Sequence, residues 1–198
     1  MKIYFVRHGK TQWNLEKRLQ GQFGDSALLP ETYLEQERVK AFLAPVKFDK
    51  VFVSPKKRAV DTAAHITDLP LHPDMRLAEW NFGDLEGMKV EEAVKLYPEA
   101  LENSRHHLEK FDGSAFGAEK VETVLARFES LLLDCVKFDK EGVFLWVGHG
   151  ATGTAGLRHL AGFPVSELRA AGGLDNNSVS LLEGEPGQFV LKEWNRKL

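Results

Sequence analysis

The run "KIYFV" (residues 2–6) passes without a turn residue into "RHGKTQWN" (7–14), and this junction decides the fold. Ile3 to Val6 show no alternation of apolar with polar residues, the pattern of a strand buried on both faces of a parallel sheet. "KVFVS" (50–54) and "GVFLWVG" (142–148) have the same character. Helical patterns lie between and after these strands. "KKRAVDTAAHITDL" (56–69) is Ala-rich and stops before Pro70, and "ATGTAGLRHLAGF" (151–163) is built of small residues that allow close packing. In "GAEKVETVLARFESLLLDCVKF" (117–138), apolar residues from Val121 to Val136 recur at steps of three and four, giving an amphipathic helix with a wide buried stripe. The alternation predicts an α/β three-layer sandwich, with a mostly parallel central sheet and helices on both faces. "SVSLLE" (178–183) and "QFVLKEW" (188–194) are expected to add an antiparallel pair through a turn at Gly184 to Gly187.

A chain of 198 residues can build one substantial core, so a single domain over 1–198 is expected. Residues 76–118 break the strand–helix rhythm with turn residues and two short charged helices, near 89–97 and 99–110. They are expected to form an insertion over the active-site end of the sheet. The formal charge of −3 argues against a general nucleic-acid binder, while leaving room for a local positive pocket. The sole cysteine, Cys135, permits no intrachain disulfide. No apolar stretch is long enough to span a bilayer, so no membrane partner is expected. "MKIYFVRHG" lacks the apolar length and cleavage site of a secretory signal, so a cytoplasmic location is expected.

Gly9-Lys10-Thr11 imitates the end of a phosphate-gripping P-loop, but that loop needs a glycine five positions before Gly9. Tyr4 stands there, inside the strand, and the reading fails. The strand ends offer a different chemistry, because ligands of open α/β sheets bind at the carboxyl ends of the strands. The first run ends in Arg7-His8-Gly9, the second in Ser54-Pro55 followed by Arg58, and the third in Gly148-His149-Gly150. Two guanidinium forks can clamp a phosphoryl group without a metal. A neutral imidazole is a competent nucleophile toward phosphorus, and neighbouring arginines favour its neutral form. Gly9 and Gly150 let backbone approach a phosphate, and helix N-termini supply N–H donors. Glu79, in "RLAEWNFGDLEG", is the best candidate for the acid that protonates a leaving oxygen.

"VRHGKTQWN", "SPKKRAVDTA", "LAEWNFGDLEG" and "VGHGATGTA" stand in the order and approximate spacing of the histidine phosphatase superfamily, also called phosphoglycerate mutase-like, which the chain resembles over most of its length. The resemblance implies His8 as the phosphorylated nucleophile, with Arg7, Arg58 and His149 as the phosphate pocket and Glu79 as proton donor. It further implies that Asn14 contacts the transferred phosphoryl group, that Gln20 and Gly21 contact substrate, and that neither cofactor nor metal is needed. "PETYLEQERVKAF" lacks the Gly that usually follows the first loop, so its helix is expected to start differently. The segment 98–120 lacks the arginine-rich stretch of mutases, and "LQGQFGDSALL" and "DNNSVSLLE" look more like the small phosphatases, including those acting on ribazole phosphates. The expected activity is hydrolysis of a small phosphomonoester. A phosphoglycerate mutase is the nearest alternative, and a non-catalytic module that binds phospho-ligands is a further one.

Other reactive residues read as structural. His106 and His107 are adjacent and face different sides of a helix, unlike a metal-binding pair. His65, His72 and His159 have no nameable partners. Cys135 falls on the apolar stripe of a helix, and the arginine a cysteine phosphatase needs six positions later is Glu141. Trp13 and Trp80 flank the motifs and are expected at the pocket, Trp146 and Trp194 in or on the sheet.

Overall fold

In the computed structural model, which describes residues 1–185 and 187–198, six strands form one sheet in the order β3-β2-β4-β1-β5-β6. The strands are β1 (Lys2–Arg7), β2 (Lys50–Val53), β3 (Leu71–Pro73), β4 (Val143–Gly148), β5 (Val179–Glu185) and β6 (Gln188–Arg196). β3, β2, β4 and β1 are mutually parallel. β5 runs antiparallel to β1, and β6 antiparallel to β5, so β5 alone opposes the rest. The three apolar runs occupy the middle of the sheet, which is why they need no polar face.

Alternate side chains of these strands feed two separate cores. Phe5, Phe52, Phe144 and Trp146 point to one face, against Phe128, Leu131 and Cys135 of α6 (Val121–Phe138) and Leu157 of α7 (Gly150–Leu160). Val6, Val51, Val53, Leu145 and Val147 point to the other. There they meet Val39 and Leu43 of α2 (Thr32–Leu43) and Ala59, Ala63 and Ile66 of α3 (Lys57–Ile66). The period of two along each strand thus creates the three layers. Each buried Phe, Leu or Val contributes about 1.5–3 kcal/mol of transfer free energy.

The expected helices form with trimmed ends. α6 begins at Val121 and not at Gly117, because Gly117 takes a left-handed φ of +70° and Glu119 turns aside to bind Arg127. Residues 76–118 hold α4 (Val90–Leu96), α5 (Pro98–His106) and several 3-10 turns around their own cluster of Leu85, Ala93, Leu101 and Phe116. Gly83, at φ +55°, passes so close to the Phe116 carbonyl that a Cβ would lie 1.8 Å from its oxygen. Only glycine lets these two turns meet. α1 (Gln12–Leu15) is a single turn capped by Thr11.

Trp80 departs from expectation. It is buried with Leu108, Val124 and Leu125 and donates its indole N–H to the Glu119 carbonyl (2.8 Å), so it holds the insertion to α6 and does not face the pocket. No helix among the described residues is long and apolar enough to cross a membrane.

Candidate active site

Strand register gathers the motif residues. Arg7 sits opposite Gly148, and Val53 opposite Val147, so β1, β2 and β4 end side by side. Beyond them the chain is pinned by short bonds. The His8 amide donates to the Gly148 carbonyl (2.9 Å) and the Ser54 amide to the Val147 carbonyl (2.9 Å). The turn after His8 is held by hydroxyls from both helices behind it. Gly9 N donates to Thr62 Oγ1 of α3 (3.0 Å) and Lys10 N to Thr32 Oγ1 of α2 (2.9 Å). α2 therefore starts on a polar residue, Thr32, that packs against the turn. A Cβ at Gly9 would lie 2.5 Å from Thr32 Oγ1, so glycine is required for this contact.

His8 is buried, and its Nδ1 lies 2.7 Å from the Gly9 carbonyl. A carbonyl can only accept, so Nδ1 carries the proton and Nε2 presents its lone pair. Burial, followed by the charges of Arg58 and Arg7, holds this imidazole well below its ordinary 6.5, so it is neutral at physiological pH. His149 packs edge-on against it, ring centroids 5.1 Å apart. Burial, followed by the charges of Arg58 and Arg7, lowers His149 as well. Its Nε2 lies 2.7 Å from Ser54 Oγ, and its Nδ1 is buried without a partner. If Ser54 donates to Nε2, Nδ1 is left as an N–H donor for a ligand.

The two arginines are positioned through their distal nitrogens. Arg58, at the start of α3, gives Nη1 to the Gly24 carbonyl (2.8 Å) and Asp25 Oδ1 (3.0 Å), and Nη2 to the Gly21 carbonyl (3.0 Å). Arg7 gives Nη1 to the Leu174 carbonyl. Both leave Nε buried and unpartnered. Burial lowers both guanidiniums, with Asp25 opposing it at Arg58 and Glu79 at Arg7. Two buried cations with idle N–H groups are costly alone and are suited to hold an anion. Gly150 lets the Arg7 guanidinium lie against the backbone, where a Cβ would stand 3.0 Å from Cζ.

Glu79 is buried at the N-terminus of α7. Oε1 accepts from Trp80 N (2.9 Å) and Thr152 N (2.9 Å), and Oε2 accepts from Ala151 N (3.0 Å). These bonds fix both oxygens on a rigid element beside the histidines.

A cleft of about 250 Å³ opens over these groups, lined by Arg7, His8, Asn14, Gln20, Glu79 and Gly150 among others. Arg58 and His149 lie fully buried below it. Asn14 Oδ1 accepts from Thr11 N (3.1 Å), which leaves its amide N–H groups for the cleft. Gln20 packs on Thr11 Oγ1 (2.8 Å), and with its amide oxygen turned toward Ser26 N (2.9 Å) it also accepts from Arg58 Nη1 (3.2 Å). Gly21 lies behind the cleft and acts through its carbonyl on Arg58.

Sequence reasoning missed three contributors. Glu86 accepts from Gln22 N (2.9 Å), Phe23 N (2.8 Å) and Gly24 N (2.6 Å), shaping the loop whose carbonyls hold Arg58. Its place in "FGDLEG", beside Glu79, was the available signal. Asp25 pairs with Arg58. Arg169 lines the cleft from an Ala- and Gly-rich loop that carries no recognisable pattern. The remaining histidines lie elsewhere. His65 pairs with Glu37 (2.8 Å), His159 with Glu129 (2.6 Å), and His107 lies 3.7 Å from Glu109.

The model of the histidine phosphatase superfamily (branch 1) matches residues 3–197. A probable phosphoglycerate mutase, GpmB, of Salmonella typhi is 27% identical over 200 residues, covering 98% of this chain and 90% of that protein. Its counterpart in Enterobacter sp. (strain 638) is equally similar, at 27% over the same 200 residues. Among solved structures, a mycobacterial glucosyl-3-phosphoglycerate phosphatase in complex with VO3 is 27% identical, with a TM-score of 0.89 and 99% of each chain covered. YhfR of Bacillus stearothermophilus, at 24% identity and a TM-score of 0.90, covers 100% of this chain and 98% of its own and shares the fold.

Proposed function

Because the chain belongs to the histidine phosphatase superfamily, we propose that it is a metal-independent phosphatase hydrolysing a small phosphomonoester through a phosphohistidine at His8. The observation that carries this reading is the His8 ring itself. It is neutral, its Nδ1 proton is committed to Gly9, which leaves the Nε2 lone pair free, and the two guanidiniums whose charge acts on the ring each keep a buried, unpartnered Nε.

Arg7, Arg58 and the His149 Nδ1–H hold the non-bridging phosphoryl oxygens and neutralise charge that develops on them. The Asn14 amide adds a further donor. Nε2 of His8 attacks phosphorus, the ester P–O bond breaks, and the departing alkoxide takes a proton from Glu79. Water then attacks the phosphohistidine and returns a proton to Glu79. The P–N bond breaks, inorganic phosphate leaves, and His8 is again neutral.

The test is release of phosphate from p-nitrophenyl phosphate and from an alkyl phosphate, in EDTA, by wild type and variants. His8→Ala is expected to lose about 10³-fold or more in kcat. Glu79→Gln is expected to lose about 10²–10⁴-fold on the alkyl ester and far less on the nitrophenyl ester, whose leaving group needs no proton. Undiminished turnover in His8→Ala overturns the mechanism, and turnover abolished by EDTA overturns its metal independence.

A second reading, a phosphoglycerate mutase, is favoured by the names of the curated relatives. Incubation with 3-phosphoglycerate and a bisphosphate primer separates the two. Fast isomerisation without phosphate release would select the mutase. Binding of phosphoesters with no turnover of any would leave only the phospho-ligand binding module.

A further inference from the structure

The phosphoryl chemistry uses Arg7, Arg58 and His149 and leaves one cation of the cleft unemployed. Arg169 follows the 3-10 turn Val165–Glu167 and lines the cleft with His8, Arg7 and Glu79. Its Nε is buried without a partner, and among the described residues its guanidinium makes no hydrogen bond or ion pair. The carboxylate whose charge acts on it is Glu79, but no hydrogen bond or ion pair joins the two, and Glu79 accepts instead from backbone N–H groups of Trp80, Ala151 and Thr152. Burial lowers Arg169 to about 10, with Arg105 and Arg7 pressing in the same direction, yet at neutral pH it remains a cation.

Arg105, on α5, is exposed and also makes no side-chain bond among the described residues. It lines a wider cleft of about 840 Å³ that shares Asn14 and Arg18 with the first. Lys17, Lys89 and Lys95 line the same space. Of its two carboxylates, Glu16 is taken by Arg18 at 2.6 Å. A protein of net charge −3 thus concentrates positive charge where the non-phosphoryl part of a substrate would lie. Unpaired guanidiniums that repel one another beside a third are unfavourable unless an anion joins them.

We propose that Arg169, together with Arg105, holds a second anionic group, a carboxylate or a phosphate, carried by the leaving part of the substrate. The substrate class is then a phosphomonoester with two anionic ends. This rests on His8 being the phosphoryl acceptor, since it assigns Arg169 to the portion that departs as alcohol.

Three esters on one three-carbon frame test it: propyl phosphate, 3-(phosphonooxy)propanoate and propane-1,3-diol bisphosphate. Wild type is expected to favour at least one doubly anionic ester by about 10-fold or more in kcat/KM, through KM, with the preference shrinking as salt rises. The ester favoured more identifies carboxylate or phosphate. Arg169→Met is expected to erase most of that preference, while Arg169→Lys retains part of it, and circular dichroism of both variants checks the fold. Absence of a preference in wild type overturns the proposal, as does a preference that survives Arg169→Met or equal losses on all three esters. If no ester, p-nitrophenyl phosphate included, is turned over, the phosphatase reading fails and the subsite is read by calorimetry instead. Tighter binding of the bisphosphate than of propyl phosphate, weakened in Arg169→Met, then supports it, and equal binding overturns it.

Discussion

At the scale of the residue, the burial of two histidines ties stability to pH. His8 and His149 are both held well below the ordinary 6.5, first by burial and then by neighbouring cations. In the unfolded chain they regain that ordinary value. Between 6.5 and the depressed folded values, the unfolded state therefore binds more protons than the folded one. The stabilisation is fully present above pH 6.5 and is lost as pH falls toward the folded values, by up to about 1.4 kcal/mol per pH unit for each ring. Urea midpoints measured from pH 7.5 to 5 are expected to decline below 6.5, and His149→Gln is expected to flatten that decline by about one proton. A flat wild-type profile across this window would contradict the burial of both rings. The carboxylates lowered by ion pairs, such as Asp74, act in a separate window below pH 4. His8, Arg7, Arg58 and His149 were legible because each stands at or just past a strand end whose apolar run is itself legible. Arg169 was not, since an arginine in a loop is identified only by which strand ends the loop folds back upon.

At the scale of the element, α7 carries the site. Its first turn supplies Gly150 to Arg7 and the Ala151 and Thr152 amides to Glu79. Its position is set by small residues against the core: a Cβ at Gly156 would lie 2.2 Å from Phe128 Cδ1. That ring is fully buried between Phe5 and Trp146, at centroid distances of 6.4 and 6.0 Å, and cannot swing aside. Gly156→Ala gains about 1 kcal/mol of helix propensity, but overpacking a filled core costs about 1–3 kcal/mol. A net loss of stability, read as a lower urea midpoint at unchanged slope, is expected, and a stabilised variant would show that the helix can move. The Ala- and Gly-rich composition of 151–163 announced such close packing. β3 escaped the sequence reading for the opposite reason. Three residues, Leu71–Pro73, are too few to show a period, and they pair only because β2 offers its edge. The wrong placement of Trp80 has a similar origin. Proximity to a motif in sequence says nothing about which face a side chain takes, and Glu119 supplied the acceptor that drew the indole inward.

At the scale of the whole molecule, the two cores on opposite faces of the sheet decide how it opens. The larger one joins β1, β2, β4, β5 and β6 to α6 and α7 through a single apolar cluster that includes Cys135. The thiol lies between α6 and the sheet, so reaching it requires α6 to separate from the strands. Burial also pushes its pKa up to about 12, so the nucleophilic thiolate is scarce even when the sulfur is approached. Cys135 is therefore a reporter of global unfolding in a chain with no other thiol. With a domain stability of about 5–15 kcal/mol, fewer than about one molecule in 10³ is open at any time. Labelling by an aromatic disulfide at pH 8 is expected to be at least about 10³-fold slower in the native protein than in urea. Its dependence on denaturant should follow the global transition seen by circular dichroism. Saturating phosphate, if it binds the His8 cleft, stabilises the folded state by mass action and should slow labelling further, although Cys135 lies outside that cleft. Rapid stoichiometric labelling of the native protein would instead show that α6 opens on its own, and that the larger core is not one cooperative unit.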